Sequence, residues 1–451
     1  MSFKPYLLEE VAAPIRNAIV GGPFGSNLVS KDYVDEGVPV IRGQNMGGKW
    51  VKGPFAFVST SKAEQLSQNK ARPGDLVFTQ RGTLGQVSIV PNEPYLEYVV
   101  SQSQMKITLN SELADVDFIY YLFRSDGQVR YILNSAIQTG VPHTNLGILK
   151  KTPVFIPSIN TQKEIAGILS ALDERIDLLN QTNATLEAIA QALFKSWFVD
   201  FDPVHAKAEG RQPEGMDATT AALFPDSFEE SELGLVPKGW GIECVADVAE
   251  IIKGKSYKST ELAKKHHTAL VTLKSFARGG GFRLDGFKPY TGNYKSNQIV
   301  FPGDLIVAYT DVTQAAELIG KPAIVVGVED YQTLIASLDV GIVRPNLEKV
   351  TRQYLYGLFR TELFQSHTYS HTSGTTVLHL AKESVGSYSF PYPPYQLIRS
   401  FSEVADALSE RSQSNIDQIR TLTQLRDTLL PRLISGQLRL PEAESLLESA
   451  L

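Results

Sequence analysis

Cysteine is almost missing from this chain of 451 residues: Cys244 stands alone, so no internal disulfide can form. Long apolar runs are missing too. None approaches the roughly 20 residues of a membrane helix, and AIVVGV (323–328) has the pattern of a buried strand. The opening residues, MSFKPYLLEE, lack a signal peptide's apolar core. These absences predict a cytoplasmic protein without a membrane segment. VGGPFGSN (20–27) fits neither the G-x-x-x-x-G-K-[ST] nor the G-x-G-x-x-G pattern and reads as a turn. The histidines, His266–His267 included, show no metal-ligand spacing.

Positive charge is in slight deficit, with 43 Lys and Arg against 49 Asp and Glu, a net −6. The deficit is local. Residues 202–232 hold eight acids against Lys207 and Arg211, a net −6, and 441–451 add three glutamates. The remainder is therefore +3, from −6 + 9. The global charge says little about the surface of the folded parts.

What the chain has is an internal repeat. ALDERI (171–176) is echoed by ALSERS (407–412), RPGDLVFT (72–79) by FPGDLIVA (301–308), and YYLFRSD (120–126) by YGLFRTE (356–362). TGVPHTNLGILKKTPVFIPS (139–158) aligns with SGTTVLHLAKESVGSYSFPY (373–392). Each half is a globular block followed by a long periodic segment. DLVFTQ, QVSIV, EYVVSQSQMKITL, DLIVAY and PAIVVGV read as strands. VDFIYYLFRSDGQVRYIL and its partner near 350–366 read as helices. With no regular βαβ alternation, the blocks are α+β.

In the periodic segments apolar residues alternate at spacings of four and three, the seam of a coiled coil. Over 162–198 the series are Ile165, Leu172, Leu179, Leu186, Leu193 and Leu169, Ile176, Asn183, Ala190, Trp197. The second copy gives Phe401, Leu408, Asn415, Leu422, Leu429 and Ala405, Ser412, Ile419, Arg426, Leu433. Pro157, Pro393 and Pro394 precede the helices, and Pro203 stops the first. Neither helix can bury its apolar stripe alone, and the short connection favours antiparallel pairing of one with the other. A register that sets Asn183 against Asn415 also sets Ile165 against Leu433, Ile176 against Leu422 and Trp197 against Phe401. It leaves Arg426 opposite Leu172, from which it must snorkel outward.

The expected fold is α+β, with two similar α/β domains separated by a long antiparallel two-helix coiled coil and related by a pseudo-two-fold internal repeat. The domains are 1–158 and 239–393, and the helices are 159–201 and 394–436. Residues 202–238 form an acidic, proline-rich extended linker with little core, and 437–451 a tail, either a short helix or frayed. A helix of this length spans roughly 55 Å. Such an object suits a linear polymer, and half-sites about 34–36 Å apart on DNA present the same face.

PGDLVFTQRGTLGQV (73–87), the TGVPHTNL…KKTPVFIPS run, LDERIDLLNQTNATLEAIAQALFKSWFVDF (172–201), GLVPKGW (234–240) and SGTTVLHL (373–380), in this order, resemble the specificity subunits of type I restriction–modification systems over nearly the whole chain. The resemblance implies two target-recognition domains, each reading one half of a bipartite double-stranded DNA target. It also implies helices that fix the gap and dock two modification (methyltransferase) subunits, with restriction subunits joining them. No cofactor is expected on this chain; S-adenosylmethionine, ATP and Mg belong to the partner subunits. The second block departs from the pattern, with YTDVTQAAELIGKPA (309–323) standing where the first has QRGTLGQ.

The candidate DNA contacts follow from side-chain chemistry. Arg81 can fork onto guanine or phosphate and Gln80 can pair with adenine, in a turn with Thr83 that Gly82 and Gly85 permit. IRGQNMGGKW (41–50) offers Arg42, Gln44, Asn45 and Lys49, and TLKSFARGGGFR (272–283) offers Lys274, Ser275 and Arg278. Tyr309 and Thr310 occupy the divergent stretch. His143 and Thr144, with Thr375 and Thr376, can bond phosphate or base, or equally cap the following segment. YPPY (392–395) places Tyr392 where an amino-methyltransferase needs an Asp or Asn, and reads as a turn. No catalytic motif is present. The alternatives are a specificity-like subunit of another phage-defence or stand-alone methylation system, an enzyme with duplicated domains, and a protein-binding coiled-coil scaffold.

Overall fold

The computed structural model describes residues 2–138, 142–313, 315–328 and 330–450. The chain divides into two compact units, Met1–Leu179 with Asp417–Leu451, and Asn180–Ile416. Both boundaries fall inside the two long helices, Ile159–Phe198 and Tyr395–Ile434. Each unit therefore holds one globular block and a stretch of both helices.

In the first unit an antiparallel sheet has the strand order Ile19–Gly21, Gln104–Ile107, Leu76–Thr79, Val87–Ile89. A second sheet contains Val38–Ile41 running parallel to Tyr98–Val100. Lys4–Leu7 pairs with Pro153–Ile156 at the root of the first long helix. The stretch expected as one strand, EYVVSQSQMKITL, is cut at Ser101–Ser103 into strands of different sheets.

The second unit repeats this plan. Its antiparallel sheet runs Ala249–Lys253, Val340–Pro345, Leu305–Ala308, Pro322–Ile324. Thr268–Val271 lies parallel to Thr333–Ala336, and Gly241–Cys244 pairs with Ser389–Tyr392. One close approach recurs in both copies. A Cβ on Gly22 would lie 1.9 Å from the Ser101 carbonyl oxygen, and one on Gly254 would lie 2.0 Å from that of Ser337.

The expected single helix over VDFIYYLFRSDGQVRYIL is two, Val116–Arg124 and Asp126–Ser135. Extended Ser125 separates them, and its hydroxyl donates to the Leu122 carbonyl. The second copy breaks at the same place. Thr361 caps Glu362–Ser370 after Arg352–Phe359 ends.

The long helices pack antiparallel within each unit. In the first, Ile165, Leu169, Leu172 and Ile176 share a core with Leu422, Leu429, Leu433 and the block's Phe118 and Tyr121. In the second, Phe194, Trp197 and Phe198 share a core with Phe401, Ala405 and the block's Tyr354 and Phe359. Full burial of one such side chain contributes about 1.5–3 kcal/mol, so the seams outweigh any single polar pair. A tyrosine ties each block to the first long helix: Tyr121 donates to Asp173 at 2.7 Å, and Tyr356 to Glu187 at 2.9 Å. Gly357 lets its helix lie close, since a Cβ there would be 2.4 Å from the Phe194 ring.

The register matches the sequence expectation where polar groups report it. The Asn415 amide donates to Asn183 Oδ1 at 2.8 Å, and Trp197 meets Phe401 with ring centroids 6.4 Å apart. Arg426 does not snorkel away. Its guanidinium reaches across to Asp173 at 2.8 Å and also pairs with Asp427. One carboxylate thus satisfies both Tyr121 and Arg426.

Residues 202–238 are not an extended linker with little core. Helices Asp202–Ala208 and Ala218–Ala222 are followed by a hairpin, Phe228–Ser231 with Gly234–Pro237. Val204 and Phe224 enter the second unit's core beside Trp197 and Trp240. Sparse apolar residues suffice because each lands on an aromatic surface already built by the helix. The tail is a helix, Leu440–Ala450, with Ala443 buried in the first unit's core.

Replacing Asn415 by Leu leaves Asn183 facing an apolar partner. The variant should lose about 1–2 kcal/mol, seen as a lower urea midpoint. The Asn183→Leu/Asn415→Leu double variant should regain stability. An unchanged midpoint in the single variant would break the register.

Candidate nucleic-acid interface

The shared strand order brings several loops to one rim of each block. In the first copy, Gln80 and Arg81 follow strand Leu76–Thr79, and both backbone amides donate to the Ser103 carbonyl. The Thr144 amide donates to Gln80, and Arg81 forms a β-bridge with His143. The turn closes through Thr79 N–H to the Gln86 carbonyl, with Gly82 at φ 96° and Gly85 at φ 87°, where only glycine is unstrained. Arg81 and Thr83 project to solvent, and Gln80 and His143 are half-buried. The Gln80 side-chain oxygen turns toward Gly21. In GVPHTN, Gly140 and Val141 lie outside the described residues.

The structure withdraws several candidates. Thr144 is buried and contributes its backbone; Asn145 is the cap, accepting from the Ile148 amide at 2.9 Å. Asn45 is 1% exposed. Its oxygen accepts from the Arg42 amide, and its amide donates to the Lys52 and Pro54 carbonyls, each at 2.9 Å. It holds the loop shut from inside. Lys49 is consumed by the Ser170 hydroxyl at 2.8 Å and Asp117 at 2.7 Å, bracing the block against the first long helix. Gln44 is exposed and Arg42 half-buried, its Nε without a hydrogen-bond partner. These two, with Gln80, Arg81, Thr83 and His143, remain available in the first copy.

In the second copy, Tyr309 stands where Gln80 stands in the first. Its amide donates to Asp339, and the Leu380 amide donates to its carbonyl. Its ring covers Gly341, where a Cβ would be 2.3 Å away, and burial pushes its phenol well above the ordinary range. Thr310 is buried in a β-bridge opposite His379. Neither presents its side chain to a ligand. Ser275 is fully buried and accepts from the Thr272 amide, the same internal role as Asn45. Lys274, Thr375 and Thr376 are exposed. Arg278 is exposed and pairs with Glu317 at 3.2 Å. In the divergent stretch, Asp311 ties down the backbone at Thr313, Leu318 and Ile319. Burial alone would raise its carboxyl, but hydrogen bonds from Thr313, Leu318 and Ile319 hold it below the ordinary value.

One rim residue was missed. His379 bridges Thr310 as His143 bridges Arg81, so the two histidines occupy equivalent positions. Aligning TGVPH (139–143) with TTVLH (375–379), two residues on from the alignment used above, would have exposed it. Among the described residues no cluster of His, Cys, Asp and Glu could hold a metal ion, and no helix is long and apolar enough to cross a membrane.

The chain is a duplicated α+β block rooted on an antiparallel helix pair, with the same loops presented twice. Residues 25–188 match the type I restriction modification DNA specificity domain. The HindI specificity subunit of Haemophilus influenzae is 25% identical, covering 87% of this chain and 93% of that protein. The MjaIX specificity subunit of Methanocaldococcus jannaschii is 21% identical, covering 94% and 92%. The fold is that of the type I restriction–modification S subunit from M. genitalium, with TM-score 0.55, 15% identity and 96% of each chain covered. Along most of its length the chain is thus similar to specificity subunits of type I restriction–modification systems.

Asn45→Ala separates an internal from a ligand-facing role. It should cost about 1–3 kcal/mol of stability in chemical denaturation while leaving duplex affinity at low temperature unchanged. A loss of affinity with unaltered stability would return Asn45 to the contact surface.

Proposed function

We propose that this chain is the non-catalytic DNA-recognition subunit of a type I restriction–modification complex, each block reading one half of a bipartite duplex target. The observation that carries this reading is the duplicated rim. Two copies of one strand order present equivalent loops whose exposed side chains differ: Gln44 and Arg81 in one, Lys274 and the Thr375–Thr376 turn in the other. Equivalent backbones with different side chains are what two unlike half-sites require.

In this reading the long helices set the number of base pairs between the halves and dock two methyltransferase subunits, and restriction subunits join that assembly. S-adenosylmethionine, ATP and Mg act on those partners. This chain supplies specificity and no reacting group.

Arg81→Ala should weaken target binding by about 1–3 kcal/mol and relax sequence preference in one half only, measured by competition with half-site variants. Equal relaxation in both halves would reject separate readers. Removing or adding whole turns in both long helices together should change the tolerated spacer while both half-sequences stay the same. An unaltered spacer in the modified sites of the host genome would reject the helices as the measure.

A further inference from the structure

The loops inserted between the first sheet strand and the strand after the 3-10 turn are equivalent in the two copies, but their charge is not. The insert of the first copy, 21–69, holds five Lys and Arg against four Asp and Glu, a net +1. That of the second, 253–298, holds ten against two, a net +8. Ion pairs take two cations in each insert, Arg278 and Arg283 in the second and Lys49 and Lys62 in the first. Lys49 is taken by Asp117 and Ser170, and Lys62 by Asp32 at 3.2 Å.

The difference concentrates at the rim. Gly254 sits against Ser337 as Gly22 sits against Ser101, so Lys253 and Lys255 stand where the first copy has Gly21 and Pro23. The Thr272–Ser275 turn is capped as the Arg42–Asn45 turn is, which sets Lys274 where the first copy has Gln44. Three neutral positions have become three lysines. Lys253 and Lys274 are exposed and Lys255 is half-buried, its backbone bridged to Ser337. Among the described residues, none of the three ammonium groups makes a hydrogen bond or salt bridge. The acids facing this loop include Glu317, paired with Arg278, and Asp285, which is held by Arg283 and lies within electrostatic reach of Lys274.

We propose that Lys253, Lys255 and Lys274 form a phosphate clamp on the rim of the second block, through which the DNA backbone is held irrespective of base sequence. The first block then reads with little electrostatic help, and the salt dependence of binding arises mainly in the second. This rests on the DNA-recognition reading above. Unpaired lysines on a rim suit the point charges of phosphate oxygens, whereas an ion-paired cation gives up its partner before it can bind.

The test uses the full chain and a mixed-sequence duplex, with affinity measured across a salt series. Each phosphate neutralised contributes a slope of about −0.9 in log affinity against log salt. The Lys253→Gln/Lys255→Gln/Lys274→Gln variant should flatten the slope by about 2.7, with its melting temperature unchanged. Lys31→Gln/Lys52→Gln, in the first copy's insert, should leave the slope as it is. Retained duplex binding with an unflattened slope in the triple variant overturns the clamp and spares the DNA reading. Equal flattening by the two sets overturns the asymmetry. A wild-type chain with no salt-dependent duplex binding overturns both the clamp and the reading beneath it.

Discussion

Everything in this protein hangs on a burial problem that neither long helix solves alone. Each carries an apolar stripe too narrow for a core and too wide for water, and each unit answers by laying one helix antiparallel on the other. The globular blocks complete the burial. Phe118 and Tyr121 in one unit, and Tyr354 and Phe359 in the other, close the open side of the pair. The polar exceptions are matched within the seam. Asn183 answers Asn415, and Asp173 takes both Arg426 and Tyr121. A polar group at such a place costs little when its partner is present and much when it faces leucine, which is how two asparagines fix the alignment.

The repeat, the helices and their alignment were legible in the sequence because each rests on periodicity, and burial enforces period over many residues. Asn183 with Asn415 was readable for the same reason: two polar interruptions in otherwise apolar series must meet or suffer. Arg426 was misjudged because its counterpart, Asp173, lies one residue off the seam, where heptad logic does not look. Residues 202–238 were misjudged because composition reports average polarity. Val204 and Phe224 are few, but they land on Trp197 and Trp240.

The candidate site was less legible. Asn45 and Ser275 have the chemistry of base-reading side chains, but both cap their own turns from within. Lys49 has the charge of a phosphate contact, but Asp117 and Ser170, distant in sequence, occupy it. Whether a polar side chain serves the fold or a ligand depends on neighbours that the local sequence does not name. Arg81, Thr83 and Lys274 are exposed because a glycine-rich turn, or its capped equivalent, has no interior to hide them in.

Gly22 and Gly254 mark a fixed point in both copies. Each presses its backbone onto a serine carbonyl across a gap that no side chain can enter. The flanking positions carry no such restriction, and they hold glycine and proline in one block and two lysines in the other. The main chain is thereby insulated from changes in what it displays. The displayed side chains can change residue by residue beside an immovable pivot, and neither block need relearn how to fold.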